Sequence, residues 1–231
     1  MEASAAAEPI RIAVASNFAN TAKALVREFE QEQPRRIRLV IGSSGKHYAQ
    51  IHNGAPFHAY FSADAMRPER LESEGLIVPG SRFTYALGKL VLWSPDPALV
   101  DSEGKILRQT GFRHLAVANA KLAPYGRAAK EVLHALGLWR SLRAHRVRGE
   151  NIGQTFHFVN SGNAELGFVA ASQVVGWEGS RWDVPQELYS PVIQQAVLLK
   201  DEPRARAFLA FVRGEPGRRI IRSHGYGVAQ P

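Results

Sequence analysis

The sequence predicts an α/β protein of two similar lobes, each built on a mixed, mainly parallel sheet flanked by helices, joined by a double-crossover hinge. Three observations predict it. Strand-like and helix-like runs alternate from residue 10 onward, the pattern of a parallel sheet with helices over both faces. The same strand, turn and helix order recurs in the middle of the chain. A long extended run, Tyr189 to Leu199, then follows and can cross back to the first lobe, which makes a double hinge of the segments near 84–90 and 189–197. The first lobe is therefore expected over 9–86 plus 195–231 and the second over 87–194, with a ligand cleft between them.

Each element has its own signal. Ile10-Arg11-Ile12-Ala13-Val14 opens a strand over 10–15, and Phe18, Ala22, Leu25 and Phe29 fall at three- and four-residue spacings that give a helix over 18–32 one apolar stripe. A strand at 37–42, a helix at 45–53, a strand at 57–62 and a helix at 67–75 complete a βαβαβ unit. Strands are expected at 88–93 and 114–118, then a helix from about Gly126 to Leu136, a short helix ending near Arg143 and a strand at Arg146-Val147-Arg148. A helix over 151–159 and a buried strand Leu166-Gly167-Phe168-Val169 follow. The last helices are expected at 203–213, carrying Phe208, Leu209 and Phe211, and at Pro216 to His224, where Gly225 suits a C-terminal cap.

Composition narrows the function. A chain of 231 residues that is 45% hydrophobic is long enough for one large or two modest domains. No apolar run approaches the ~20 residues that span a bilayer. The opening Met1 to Pro9 lacks a basic start and an apolar core but resembles the small-residue end of a secretory signal behind a new initiator Met, which predicts a mature, exported, periplasmic protein whose signal peptide is gone. Zero Cys excludes disulfides, thiolate metal sites and cysteine nucleophiles. Lys and Arg number 29 against 21 Asp and Glu, and the resulting +8 favours acidic ligands. The basic clusters Arg35-Arg36-Ile37-Arg38 and Arg140 to Arg148 interleave poorly with aromatic residues and carry no recognition-helix or RNA-motif signature. They read as solvated faces, and no nucleic-acid partner is expected.

Four short turns carry the chemistry: Ala15-Ser16-Asn17, Gly42-Ser43-Ser44-Gly45, Ala123-Pro124-Tyr125-Gly126 and Asn151-Ile152-Gly153-Gln154. Each follows a strand and opens a helix, where up to four backbone N–H groups lack partners and the dipole supplies about half a positive charge. That suits an oxyanion. Ser16, Ser43 and Ser44 add hydroxyls and Asn17 adds an amide, although singly these residues are also ordinary N-caps. Strand ends of an open α/β sheet are where ligands bind, so Ser16 and Ser44 should meet. Nothing in the turns pairs an acid with a base. Gly42-Ser43-Ser44-Gly45 is not a nucleophile elbow, and no phosphate loop is present. His47, His52 and His58, with Asp64 nearby, stand five and six residues apart and do not align metal ligands on one helix face. The expectation is a binder, not an enzyme, without cofactor or protein-ligated metal.

At Ala13 to Phe18, Ile41 to Gln50, Asn53-Gly54-Ala55-Pro56, Phe61-Ser62-Ala63-Asp64, Ala123 to Gly126, Leu166 to Val169 and His224-Gly225-Tyr226-Gly227 the chain resembles the periplasmic molybdate-binding proteins of ABC importers, which have the type II periplasmic binding protein fold. The ordered set spans almost the whole chain after residue 9. The resemblance implies a tetrahedral dianion, molybdate or tungstate, held by the hydroxyls and N–H groups at Ser16 and Asn17, by the Ser44 hydroxyl and N–H, and by the N–H groups of Tyr125 and Ile152. It also implies a monomer that delivers the ligand to a membrane permease. Some members carry a Tyr after the Gly-x-Val strand as a further donor; here Ala170 stands there, and Asn17 is the candidate to compensate. Lys46 and His47 are expected to face solvent, with Lys46 able to add charge at the cleft mouth. The alternatives are a receptor for sulfate or another oxyanion, the sensor domain of a transcription regulator, and an enzyme of related fold that builds a pyrrole chain. The regulator would need a DNA-binding segment ahead of the first strand, and that enzyme would need a cofactor-bearing Cys.

Overall fold

Two five-stranded sheets organise the chain, each with the strands that bear the Ser- and Asn-containing turns near its middle and edge. The computed structural model describes residues 8–32, 37–109 and 111–228. In chain order the first half forms β1 (Ile10–Ala15), α1 (Ala19–Glu32), β2 (Ile37–Gly42), α2 (Ser44–His52), β3 (Ala59–Ser62), α3 (Met66–Ser73), β4 (Phe83–Gly88) and β5 (Leu90–Ser94). The second half adds α4 (Ile106–Gln109), β6 (Leu115–Ala118), α5 (Pro124–Ala135), β7 (Arg146–Gly149), α6 (Ile152–Asn160), β8 (Leu166–Ala170), β9 (Ser180–Asp183), β10 (Val192–Leu198), α7 (Pro203–Arg213) and α8 (Glu215–Ser223).

The first sheet has the order β2-β1-β3-β10-β4, with β1 parallel to β2 and β3 and with β10 antiparallel to β3 and β4. The second has the order β7-β6-β8-β5-β9, with β6 parallel to β7 and β8 and with β5 antiparallel to β8 and β9. Both sheets are thus mixed and mainly parallel in the strands that carry the turns. Ile10, Ile12 and Val14 are buried between layers of helices, because a sheet covered on both faces hides both sets of side chains. The predicted stripe of α1 packs there: Phe18, Ala22, Leu25 and Phe29 join one core with Phe208 and Leu209 of α7, and the Phe29 and Phe208 rings meet edge to face at 5.4 Å.

Three expectations change. The strand expected at 88–93 is two strands in different sheets, separated by Lys89. The lobe borders expected at 86/87 and 194/195 fall inside β4 and β10, since the ladder between these strands runs on to Val192↔Gly88. The chain changes sheets at Lys89 and again just before Val192, so its two crossings lie side by side. β9 was not expected, being a four-residue edge strand in which only Ser180 and Trp182 turn inward. Arg140 and Arg143 are exposed as predicted, but Arg146 is partly buried, with its guanidinium 3.6 Å from the centroid of the Trp139 ring. Arg35, Arg36 and the opening Met1 to Ala7 lie outside the described residues.

Candidate functional site: four helix starts around one cavity

The four turns come together. β1 and β2 end at Ala15 and Gly42, while β6 and β7 of the other sheet end at Ala118 and Gly149, so the helix starts that follow face one another across the gap between the sheets. Ser16, Asn17, Ser44, Tyr125 and Ile152, the five expected ligand residues, all line one small cavity together with Gly42, Ser43, Ala63 and Pro124. Ser44 and Ile152 are the first residues of α2 and α6, and Tyr125 is the second of α5. Their N–H groups therefore have no acceptor within their own helices. Pro124 suits the first position of α5, where a missing N–H costs nothing. Every residue lining the cavity is uncharged. Positive potential there comes from helix dipoles and N–H groups, which matches a small anion better than a cation.

The side chains are placed by partners. Ser43 is the N-cap of α2, accepting from the Lys46 N–H at 3.3 Å, and Asn151 caps α6 by accepting from the Gln154 N–H at 2.9 Å. These two residues fill the capping role. Ser44 is free of it: its Oγ accepts from the Ala63 N–H at 3.0 Å, which leaves the hydroxyl proton to give away. Ser16 Oγ accepts from the Gly153 N–H at 3.1 Å, a bond between the sheets. Asn17 is buried, and its amide nitrogen donates to Gln194 Oε1 at 2.8 Å and to Tyr226 Oη at 3.0 Å. Tyr125 is also buried, and its hydroxyl accepts from Gln194 Nε2 at 3.2 Å. Burial and neighbouring phenols push the Tyr125 and Tyr85 hydroxyls well above their ordinary range, so both stay protonated.

The lobes touch around the cavity. The Gly45 N–H donates to Leu122 O at 2.8 Å, and Arg67 Nη2 donates to Lys121 O at 3.0 Å. A Cβ on Gly45 would lie 2.9 Å from Leu122 Cα, so only glycine permits this approach. Asp64, buried beside the cavity wall, would repel an anion if left bare. It accepts from Ser62 Oγ at 2.9 Å, is paired with Arg67 Nη1, and has Arg127 Nη2 of the other lobe 3.9 Å away.

Several neighbours were not legible in sequence. Gln194, Tyr85 and Tyr226 form the polar wall behind Asn17, and they come from β10, β4 and the chain end. Tyr226 stands in the His224-Gly225-Tyr226-Gly227 stretch noted above, but no sequence signal joined the three to Asn17. Lys46 is exposed as expected, but His47 is not: it is buried under the end of β1, with Nε2 3.2 Å from Val14 O and Nδ1 3.1 Å from Gln50 Oε1. α2 packs against β1 and β3, and His47 lies on the face of the helix turned toward them. His52 contacts Glu74 and His58 accepts from the Arg11 N–H, so the three histidines serve separate neighbours. Ala170 is buried at the end of β8 and its N–H donates to Gln173 Oε1.

Comparison with known proteins gives the same picture. Residues 10–227 match the family described as bacterial extracellular solute-binding protein. The chain is 46% identical over 231 residues to the molybdate-binding protein ModA of Azotobacter vinelandii, covering 97% of this chain and 92% of that one. It is 48% identical over 226 residues to the protein of the same name from Rhodobacter capsulatus, covering 96% and 89%. The solved structure of the Azotobacter vinelandii periplasmic molybdate-binding protein superposes with a TM-score of 0.92 at 42% identity, covering 96% of this chain and all of that one. With a cleft of helix starts between two sheets and a match over nearly its whole length, the chain belongs to the family of bacterial extracellular solute-binding proteins.

Proposed function

We propose that this protein is the periplasmic receptor of an ABC importer for molybdate or tungstate. It holds the tetrahedral dianion between its lobes and hands it, closed, to a membrane permease. The observation that carries the reading is the uncharged cavity into which four helix starts converge. Ser44 supplies a hydroxyl and an N–H, Ser16 and Asn17 supply donors from the first lobe, and the N–H groups of Tyr125 and Ile152 supply them from the second. Neutral donors and dipoles suit a ligand that must later leave, since no ion pair has to be broken on release. The lobes divide at Lys89 and at the link before Val192, and paired crossings there act as the hinge. Closure is driven by the greater affinity of the closed form, in which both pairs of turns reach the anion. The protein acts as a monomer, as one complete cavity lies within one chain.

Isothermal titration calorimetry of the anion-stripped protein tests the reading. Molybdate and tungstate are expected to bind tightly at one site, with sulfate far weaker because it is too small to reach both lobes' donors at once. Tight sulfate binding, or no heat from any of these anions, would overturn the assignment.

A further inference from the structure

One charged side chain spans the two lobes without lining the cavity. Arg67 stands in the first turn of α3 with its side chain only 11% exposed, and its guanidinium is used as a fork. Nη1 is paired with Asp64 Oδ2 of the same lobe, while Nη2 donates to Lys121 O of the other lobe at 3.0 Å. Asp64 in turn accepts from Ser62 Oγ at 2.9 Å and from the Arg67 N–H at 3.3 Å, so the fork leaves from a fixed base. The receiving turn is fixed as well. Asn119 O accepts from the Leu122 and Ala123 N–H groups at 3.0 and 2.8 Å, and Asn119 Oδ1 accepts from the Lys121 N–H at 3.1 Å. Two successive carbonyls of that turn, Lys121 O and Leu122 O, are thus gripped from the first lobe by Arg67 and by the Gly45 N–H. From the second lobe Arg127, in the first turn of α5, brings Nη2 to 3.9 Å from Asp64 Oδ2.

Both ends of this bridge adjoin the cavity. Asp64 follows Ala63, a cavity residue whose N–H holds Ser44 Oγ, and the 119–122 turn runs into Pro124 and Tyr125 of the opposite wall. Gripping that turn therefore holds the α5 start against the α2 start. The task suits arginine, whose planar fork serves two acceptors at once. A lysine would end near the present Cζ, one bond short of both acceptors, and its point charge would close on Asp64 rather than on a neutral carbonyl.

We propose that Arg67 is a positioning residue that latches the closed receptor: seated on Asp64 of the first lobe, it holds the 119–122 turn of the second, and Arg127 reinforces it from the other side. This rests on the receptor reading above. In the open form Arg67 keeps Asp64 and loses Lys121 O, so the latch forms only as the cleft closes. The anion meets the open form, to which the latch contributes nothing, whereas its departure requires the latch to part. The latch therefore slows release and leaves capture unchanged.

The test compares wild type with Arg67→Lys and Arg127→Gln, and uses Arg70→Gln as the control, because Arg70 is 66% exposed and pairs with Glu74 inside its own lobe. Release of bound molybdate is followed by mass spectrometry of the protein-bound metal during a chase with excess tungstate. Calorimetry gives the affinity, and the two together give the association rate. Arg67→Lys should release molybdate about tenfold faster, the worth of one charge-assisted hydrogen bond. Arg127→Gln, whose side chain is 41% exposed, should release it about two- to fivefold faster. Association rates and ligand-free unfolding midpoints should match wild type in both, and Arg70→Gln should match it throughout. Wild-type release from Arg67→Lys, or a loss of association rate and ligand-free stability along with faster release, would overturn the proposal while leaving the receptor reading intact. Should Arg67→Lys not fold, Arg127→Gln decides, and wild-type release there would overturn the proposal. Failure of the wild type to bind molybdate would overturn both.

Discussion

At the scale of single residues, the cavity separates helix capping from cavity lining. Ser43 and Asn151 cap, while the adjacent Ser44 and Ile152 open α2 and α6 and line the cavity. Ser44→Ala removes a cavity-lining hydroxyl that accepts from the Ala63 N–H and keeps its own proton to give. The expected loss is about 1–3 kcal/mol of molybdate affinity by calorimetry, the worth of a charge-assisted hydrogen bond. Wild-type affinity in that variant would remove Ser44 from the cage. The serines were legible in sequence because a small hydroxyl residue at the end of an apolar run marks a strand-to-helix turn. Gln194 was not, and Tyr226 stood in a recognised stretch with nothing to tie it to Asn17, since the two meet Asn17 from 177 and 209 residues away and no local pattern encodes such a meeting.

At the scale of elements, the α2 start is built to approach the second lobe. Gly45 gives its N–H to Leu122 O, and there is no room for a side chain between them. Gly45→Ala should leave the fold as stable as before or slightly more so, because alanine is the better helix residue by up to about 1 kcal/mol. Closure is another matter. The added Cβ meets backbone 2.9 Å away, which cannot swing aside, so molybdate affinity should fall by about 1–3 kcal/mol, the range for overpacking a tight contact. Thermal unfolding without ligand and calorimetry with it separate the two effects; loss of both together would mean that Gly45 matters to the fold and not to closure. The βαβ order of the first lobe was plain from spacing alone. The junction of β4 and β5 was not, because an apolar stretch on either side of Lys89 looks the same whether its halves pair with one sheet or two.

At the scale of the whole molecule, acid should loosen the fold through a histidine beneath the cavity. Burial lowers the affinity of His47 for a proton, against the opposing pull of its bonds to Gln50 and Val14 O. A group whose pKa is depressed on folding contributes its full stability above the unfolded value, about 6.5 for histidine, and loses it as pH falls below that, because the unfolded chain takes up a proton the folded chain refuses. His58 is shifted the same way, chiefly by burial. Denaturant midpoints should therefore drop from pH 7.5 to pH 5.5, and His47→Gln should show a shallower drop; an unchanged slope would remove His47 as a cause. The sequence alone determined the class of the fold and the kind of ligand. Alternating apolar runs dictate sheets with covering helices, and turns at strand ends leave free N–H groups that suit an anion. Only the tertiary structure decided where the chain changes sheets, that His47 turns inward, and that the Asn17 amide meets Gln194 and Tyr226. The physical reason is range: helix and strand periods are properties of neighbours along the chain, whereas the orientation of a buried amide is set by partners that only folding brings within hydrogen-bond distance.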